Sequence, residues 1–285
     1  MSPAPIPPCP DPDWNGIWKA RQVLHESSKH SDDPSHNWNK RENAERYDST
    51  SRSEYDERII TTIDGLDITK ESRVLDIGAG PGTLAIPLAS RVREITAIEP
   101  GEGMTTIMSE RMKQEGISNI TIVRKRWEDI IPASDLSGQY DVVIASLSLT
   151  MEDIRLALRK MDAVSRGSVY LFWFVDMPFW ERMYADLWGS LHGQPYHPGP
   201  KADCLFGVLY QMGIYPNVEM LPLKKEYWFT TTDEMTAFFR KRFNVTGPEQ
   251  EKILDDYLRP LIRTEGSEIV ISGDSTFAKI WWKKT

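Results

Sequence analysis

From Arg73 onward the chain alternates short runs of β-branched and other apolar residues with longer amphipathic stretches, and this alternation restricts the fold more than any other feature. β-Branched side chains pack well on a pleated sheet and lose χ1 freedom in a helix, so Arg73–Ile77, Glu94–Ile98, Ile120–Val123, Asp141–Ala145 and Ser168–Phe174 are predicted as strands. The intervening stretches suit helices at Thr83–Ser90, Gly103–Gln114 and Met151–Met161. The last of these opens at Thr150-Met151-Glu152-Asp153, a variant capping box. Strands alternating with helices in this way require crossovers between parallel strands, and so predict an α/β fold.

The segment with chemical content is Val74-Leu75-Asp76-Ile77-Gly78-Ala79-Gly80-Pro81-Gly82-Thr83, a strand that runs into a glycine-rich turn and then a helix. Residues without Cβ permit left-handed dihedrals and let a ligand approach the main chain. Glu99 ends the next strand, where a carboxylate accepts from both hydroxyls of a ribose. Together they predict a nucleoside cofactor site. Nicotinamide dinucleotide binders carry a Gly-x-Gly-x-x-Gly pattern, whereas position 83 is threonine. Asp76 would direct negative charge at a pyrophosphate, but it suits a cofactor bearing a sulfonium and an ammonium.

Residues 73 to 104 resemble the first two motifs of class I S-adenosylmethionine-dependent methyltransferases, and the similarity extends to about residue 174. The resemblance implies a three-layer Rossmann-like fold, with a mostly parallel seven-stranded sheet, an antiparallel last strand and a helical cap. It implies S-adenosylmethionine as cofactor and S-adenosylhomocysteine as product. Asp76, Gly78, Ala79, Gly80 and Gly82 would contact the methionine moiety, Glu99 would hold the ribose, and Pro100 and Met104 would follow in the same site. Trp38 to Asp48 resembles the helix that closes over the cofactor in small-molecule members, with Tyr47 at the mouth. Val123 to Asp129 aligns with the stretch that brackets adenine: Arg126 replaces the usual acidic residue, Trp127 would stack near the base, and Glu128 would accept from its amino group. Ser146 and Leu147 match the position facing the reacting methyl.

The remaining sequence frames this core. Residues 1–12 carry prolines at six positions, which excludes a helix or central strand and predicts a flexible tail. Residues 13–60 are polar with scattered tryptophans and are expected to form a helical N-terminal cap, broken at Asp32–Ser35. Residues 61–175 are the predicted cofactor-binding core. In residues 176–285 an aromatic stretch to about Pro216 is too long for an ordinary loop and reads as a helical lid. A strand at Val218–Phe229 follows, then a capping box at Thr231-Thr232-Asp233-Glu234, helices near 232–243 and 248–263, and a last strand at Thr276–Trp282.

Composition narrows the partners. The chain has 34 basic and 42 acidic residues, net charge −8, so it repels polyanions as a whole and nucleic acid is disfavoured as a substrate. Cys9 and Cys204 form neither a disulfide framework nor a zinc pattern, and no metal site is expected. No run approaches the length that crosses a bilayer, and the start lacks a secretory leader, so a cytoplasmic protein without membrane association is expected. The aromatic lid points to a small-molecule acceptor. His192 and His197 are the best-placed histidines to take a proton, but transfer from a sulfonium does not demand a base, and no catalytic residue is assigned. Other readings are a protein or RNA methyltransferase of this fold, a nicotinamide-dependent oxidoreductase, or a binding protein without turnover. Monomer and homodimer both remain open.

Overall fold

In a computed structural model of the chain, residues 11–28, 38–53 and 58–284 are described; the proline-rich residues 1–10 and the expected break at Asp32–Ser35 lie outside them. In chain order, helices α1 (Trp14–Ser28), α2 (Arg41–Ser53) and α3 (Ile60–Asp64) precede strand β1 (Arg73–Ile77). Then follow α4 (Ala85–Ala89), β2 (Glu94–Ile98), α5 (Glu102–Gln114), β3 (Ile120–Val123), α6 (Pro132–Asp135), β4 (Tyr140–Ser146), α7 (Ile154–Val164) and β5 (Ser165–Phe174). After β5 come α8 (Phe179–His192), α9 (Ala202–Gln211), β6 (Asn217–Phe229), α10 (Thr232–Arg242), α11 (Pro248–Leu258), β7 (Ile262–Glu265) and β8 (Glu268–Lys283).

The strands join in the order β3-β2-β1-β4-β5-β8-β6, and β7 forms a hairpin with the start of β8. Strands β1 to β5 are parallel, while β8 runs antiparallel to both β5 and β6. The expected seven-strand path is present, with β7 as an eighth strand beside it. Both faces of the sheet are covered. Leu75, Ile77, Val143, Ala145, Val169 and Leu171 pack under α1, α7 and α9, whereas Val74, Ala97, Val142, Ile144 and Phe172 pack under α3, α4 and α5. Alternate side chains of each strand point to opposite faces, which is why the strands read as nearly continuous apolar runs.

Beyond Phe174, which pairs with Phe277, β8 and β6 continue as a hairpin to Ile269 and Phe229. At about 3.3 Å per residue this arm projects roughly 25 Å past the carboxyl edge of β5. Phe179, Met183, Leu187, Phe229, Phe239, Phe243, Leu254 and Ile271 form a separate core between the arm, α8, α10 and α11. This is the cap, and it stands beyond the edge where β1 to β5 end.

Several predicted boundaries move. The helix expected at 151 begins at Ile154, because Asp153 is the residue whose carboxylate accepts the Leu156 amide, at 2.9 Å. The helix expected to reach 263 stops at Leu258, and residues 262–265 turn into β7. Thr231 caps α10 as predicted, accepting from the Glu234 amide at 3.1 Å. Among the described residues, no helix is long and apolar enough to cross a membrane.

Candidate functional site

Strand order places the site. The chain moves outward from β1 to β2 and β3, then returns to the other side of β1 with β4, so the loops after β1 and β4 diverge and leave a crevice at their carboxyl ends. On one wall Gly78, Gly80 and Gly82 have φ of +71°, +57° and +83°. A Cβ on Gly78 would lie 2.3 Å from Ser148 Cβ, and one on Gly82 would lie 2.7 Å from Ile86 Cγ1. Glycine is therefore required twice: once where the loops meet, and once where the turn packs on its own helix.

The turn is tied to β2 through its main chain. Gly78 and Ala79 donate to the Ile98 carbonyl at 2.8 and 3.0 Å, which leaves the amide of Gly80 to donate to Glu99 Oε2 at 3.0 Å. Gly101 donates to Glu99 Oε1 at 2.8 Å. Glu99 is only 6 % exposed, and burial pushes its pKa up against the two amide bonds that pull it down. On the opposite wall the Ser148 hydroxyl donates to the Ile77 carbonyl at 2.6 Å, and Leu147 is held at φ 55°. A positive φ in a γ-branched residue is strain of the kind that collects at functional sites.

Asp76 lies beneath the turn, 2 % exposed, and its Oδ2 is buried without a hydrogen-bond partner. Burial, and then the nearby charge of Glu99, push its pKa up to about 7. A buried carboxylate oxygen without a donor is costly, and a cationic donor entering the crevice would satisfy it. S-Adenosylmethionine brings an ammonium and a sulfonium, whereas a dinucleotide brings a pyrophosphate that this carboxylate would repel. The residues present therefore fit S-adenosylmethionine.

Residues 38–48 roof the crevice. Ala44, Met104, Ile107 and Tyr47 pack together, and Arg111 pairs with Asp48 at 3.3 Å. Trp38 meets Tyr47 edge to face at 5.4 Å, and the Asn39 side chain accepts the Glu102 amide at 3.0 Å. The space a Cβ would need at Gly101 and Gly103 is taken by Trp38, whose carbonyl oxygen would stand 3.2 and 2.7 Å away. Tyr47 stands over Gly80, with Cε1 3.9 Å from the position of an added Cβ.

Of the predicted positions, the structure brings Tyr47, Asp76, Gly78, Ala79, Gly80, Gly82, Glu99 and Met104 together around the turn, with Pro100 exposed beside Glu99 and Ser146 half-buried at the end of β4. Trp127 departs from the expected stacking role. Its indole is 2 % exposed, donates to the Ala157 carbonyl at 3.2 Å, and carries Lys160 Nζ 5.2 Å from its ring. Burial against α7 fixes the ring in the core. Glu128 is exposed in the same short helical turn. Of the two histidines, His192 Nε2 donates to the Phe243 carbonyl at 2.9 Å, and the backbone carbonyl of His197 accepts from His25 Nδ1 at 2.9 Å. Ser148 and the Trp38 backbone were missed, since no sequence signal reports what a glycine makes room for.

Comparison with known proteins agrees with this fold. Residues 74–167 match the family described as Methyltransferase domain. An uncharacterized protein of Haemophilus influenzae is 24% identical over 226 residues, which span 77% of this chain and 79% of that one. Ribosomal RNA small subunit methyltransferase A of Desulforapulum autotrophicum is 38% identical over 66 residues, only 23% of this chain and 22% of the enzyme. A solved structure from Bacillus halodurans C-125, assigned to the methyltransferases, superimposes with TM-score 0.54 at 15% identity, covering 80% of this chain and 98% of that one. The YcgJ protein of Bacillus subtilis gives 0.50 at 15% identity, covering 78% and 97%.

Proposed function

We propose that this chain, whose residues 74–167 match the family described as Methyltransferase domain, is a class I S-adenosylmethionine-dependent methyltransferase that moves a methyl group to a small-molecule acceptor by in-line displacement. The observation that carries the reading is a contact between the two covers. Lys241, on α10 of the cap, pairs with Glu42 on α2 at 3.0 Å, both side chains exposed, so the cap reaches the helix that carries Tyr47. A polynucleotide would need an open and basic face, and the net charge of −8 opposes it.

S-Adenosylmethionine, when bound, supplies a methyl activated by its sulfonium. In this reading Asp76 receives the cofactor ammonium, Gly78, Ala79, Gly80 and Gly82 lie along its methionine part, and Glu99 holds the ribose. Pro100, Met104 and Glu128 border the nucleoside, while Tyr47 and the Trp38 backbone cover it. Ser146 and Leu147 face the reacting centre. Aligning the acceptor and shutting out water are worth about 7 to 11 kcal/mol in such reactions, so positioning by these walls suffices without a dedicated base. Residues 61–175 form the cofactor-binding core, with 13–60 and the insertions of 176–285 as its cover, in a protein of the cytoplasm.

Incubation of the full chain with methyl-labelled S-adenosylmethionine and a cell extract, followed by separation by mass, tests the acceptor class. Label is expected in the low-mass fraction. Incorporation into RNA or protein alone would refute the small-molecule reading.

A further inference from the structure

The cap holds one basic side chain that the methyl-transfer geometry leaves without a task. Arg242 ends α10, and its guanidinium lies between two phenol rings, 5.3 Å from the centroid of Tyr184 on α8 and 5.7 Å from that of Tyr227 on β6. Its Nε is buried with no hydrogen-bond partner. The neighbouring cations are already engaged: Arg240 pairs with Glu251 at 2.5 Å and Lys241 with Glu42 at 3.0 Å. Among the described residues, none forms a hydrogen bond or ion pair with the Arg242 side chain.

The last turn of α10 is clamped in place. The Tyr184 hydroxyl donates to the Arg242 carbonyl at 3.1 Å, and His192 binds the next carbonyl, that of Phe243. Tyr184 also stacks on Tyr196 at 5.6 Å, which extends an aromatic wall towards His25 on α1. The carboxyl end of a helix favours a cation, and that alone would account for a solvated arginine. It does not account for a guanidinium packed between rings with a desolvated, unpaired N–H, a donor that is normally satisfied when buried. An incoming acceptor atom would satisfy it.

The site lies on the acceptor side. β5 ends at the edge that carries the glycine turn and β6 runs on beyond that edge in the same direction, α8 and α10 follow those two strand ends, and the residue before Arg242 pairs with α2, the helix that brings Tyr47 over Gly80. We propose that Arg242 recognises the anionic group of the acceptor, and that the acceptor is a small carboxylic acid whose carboxylate meets the guanidinium between Tyr184 and Tyr227. This deepens the proposed function and rests on it for the word acceptor. The planar fork of arginine matches a carboxylate with two parallel hydrogen bonds, and the rings suit an apolar or aromatic body beside it. Lys225 Nζ also stands 5.6 Å from the Tyr227 centroid, so the setting as a whole is cationic, and it is the flat, two-pronged donor geometry of Arg242 that favours a carboxylate.

Calorimetry on the full chain tests this with benzoate and its neutral counterpart benzamide, each with and without S-adenosylhomocysteine, on wild type, Arg242→Met and Arg242→Lys. Wild type is expected to bind benzoate in preference to benzamide. Arg242→Met should weaken benzoate by about ten- to hundredfold, the loss expected for a charge-assisted hydrogen bond, and Arg242→Lys by less. Affinity for S-adenosylhomocysteine should stay unchanged in both variants, which shows that they fold. Equal binding of benzoate and benzamide, unaltered benzoate affinity in Arg242→Met, or no benzoate binding by wild type would overturn the proposal. Failure of S-adenosylhomocysteine to bind wild type would instead strike at the methyltransferase reading, while the benzoate series without it still reports on the anion site.

Discussion

The Gly80 amide donates to Glu99 Oε2 at 3.0 Å, which joins the turn after the first strand to the carboxylate that ends the second. Glu99 also holds Gly101 at 2.8 Å, so one side chain shapes both loops of the crevice. Replacing a carboxylate oxygen by an amide NH2 in Glu99→Gln sets two donors against each other. We expect affinity for S-adenosylhomocysteine to fall at least about tenfold and unfolding stability to drop by about 1–3 kcal/mol, read by calorimetry and urea titration. Unchanged affinity would remove Glu99 from the site.

Two glycines of similar dihedral separate strain from contact. Gly78 and Gly213 have φ of +71° and +76°, but only Gly78 faces another side chain, Ser148, whereas Gly213 has nothing within 4 Å. Alanine at either position costs about 1–2 kcal/mol for the left-handed backbone. At Gly78 the overlap with Ser148 adds about 1–3 kcal/mol. Urea midpoints of Gly78→Ala and Gly213→Ala should therefore differ, and cofactor binding should be lost only in the first.

The same contrast shows what sequence can and cannot report. The core strands and the turn at 78–82 were legible because β-branched runs and glycines carry their reason locally. The first half of β8 was not, since Ser272-Gly273-Asp274-Ser275 reads as a loop. Gly273 is in the strand because a Cβ there would stand 2.2 Å from Phe179 Cδ2, a constraint set by a helix almost a hundred residues earlier. Trp127 differs from its expected stacking role for a related reason: an indole after a strand suits a nucleobase or a core, and its contacts with Ala157 and Lys160 of α7 hold it in the core. Arg242 sits in the basic run Arg240-Lys241-Arg242, which by itself suits a solvated face, and only Tyr184 and Tyr227, distant in sequence, set it apart.

Asp76 makes both stability and binding depend on pH. Its folded pKa, pushed up to about 7 by burial and then by Glu99, lies above the unfolded value of 3.8, so the folded protein binds the extra proton in between. Stability of the ligand-free chain should then fall as pH rises from about 4 to 7 and level off above, a loss on the order of 4 kcal/mol. Asp76→Asn should flatten this slope. Affinity for S-adenosylhomocysteine should rise over the same interval, as the ionised carboxylate becomes available to the ammonium. Calorimetric titrations from pH 5 to 8 check both signs; affinity that falls with pH contradicts the pairing.

Leu147, at φ 55°, stores strain at the mouth of the crevice. Leu147→Gly should relax it and leave stability unchanged or higher by up to about 1 kcal/mol, while methyl transfer slows because the wall beside Ser146 is lost. Thermal melts and label incorporation measure the two effects. Simultaneous loss of stability and activity would mean that Leu147 is a packing residue.

The central claim is that the crevice at the carboxyl ends of β1, β2 and β4, floored by the turn at 78–82, accepts a sulfur-bearing nucleoside. Isothermal titration of the full chain at pH 8 with S-adenosylhomocysteine, and separately with a nicotinamide dinucleotide, addresses it directly. The account predicts saturable one-to-one binding of S-adenosylhomocysteine, weakened in Glu99→Gln, and no binding of the dinucleotide. Binding of the dinucleotide alone, or S-adenosylhomocysteine binding indifferent to Glu99, would contradict it.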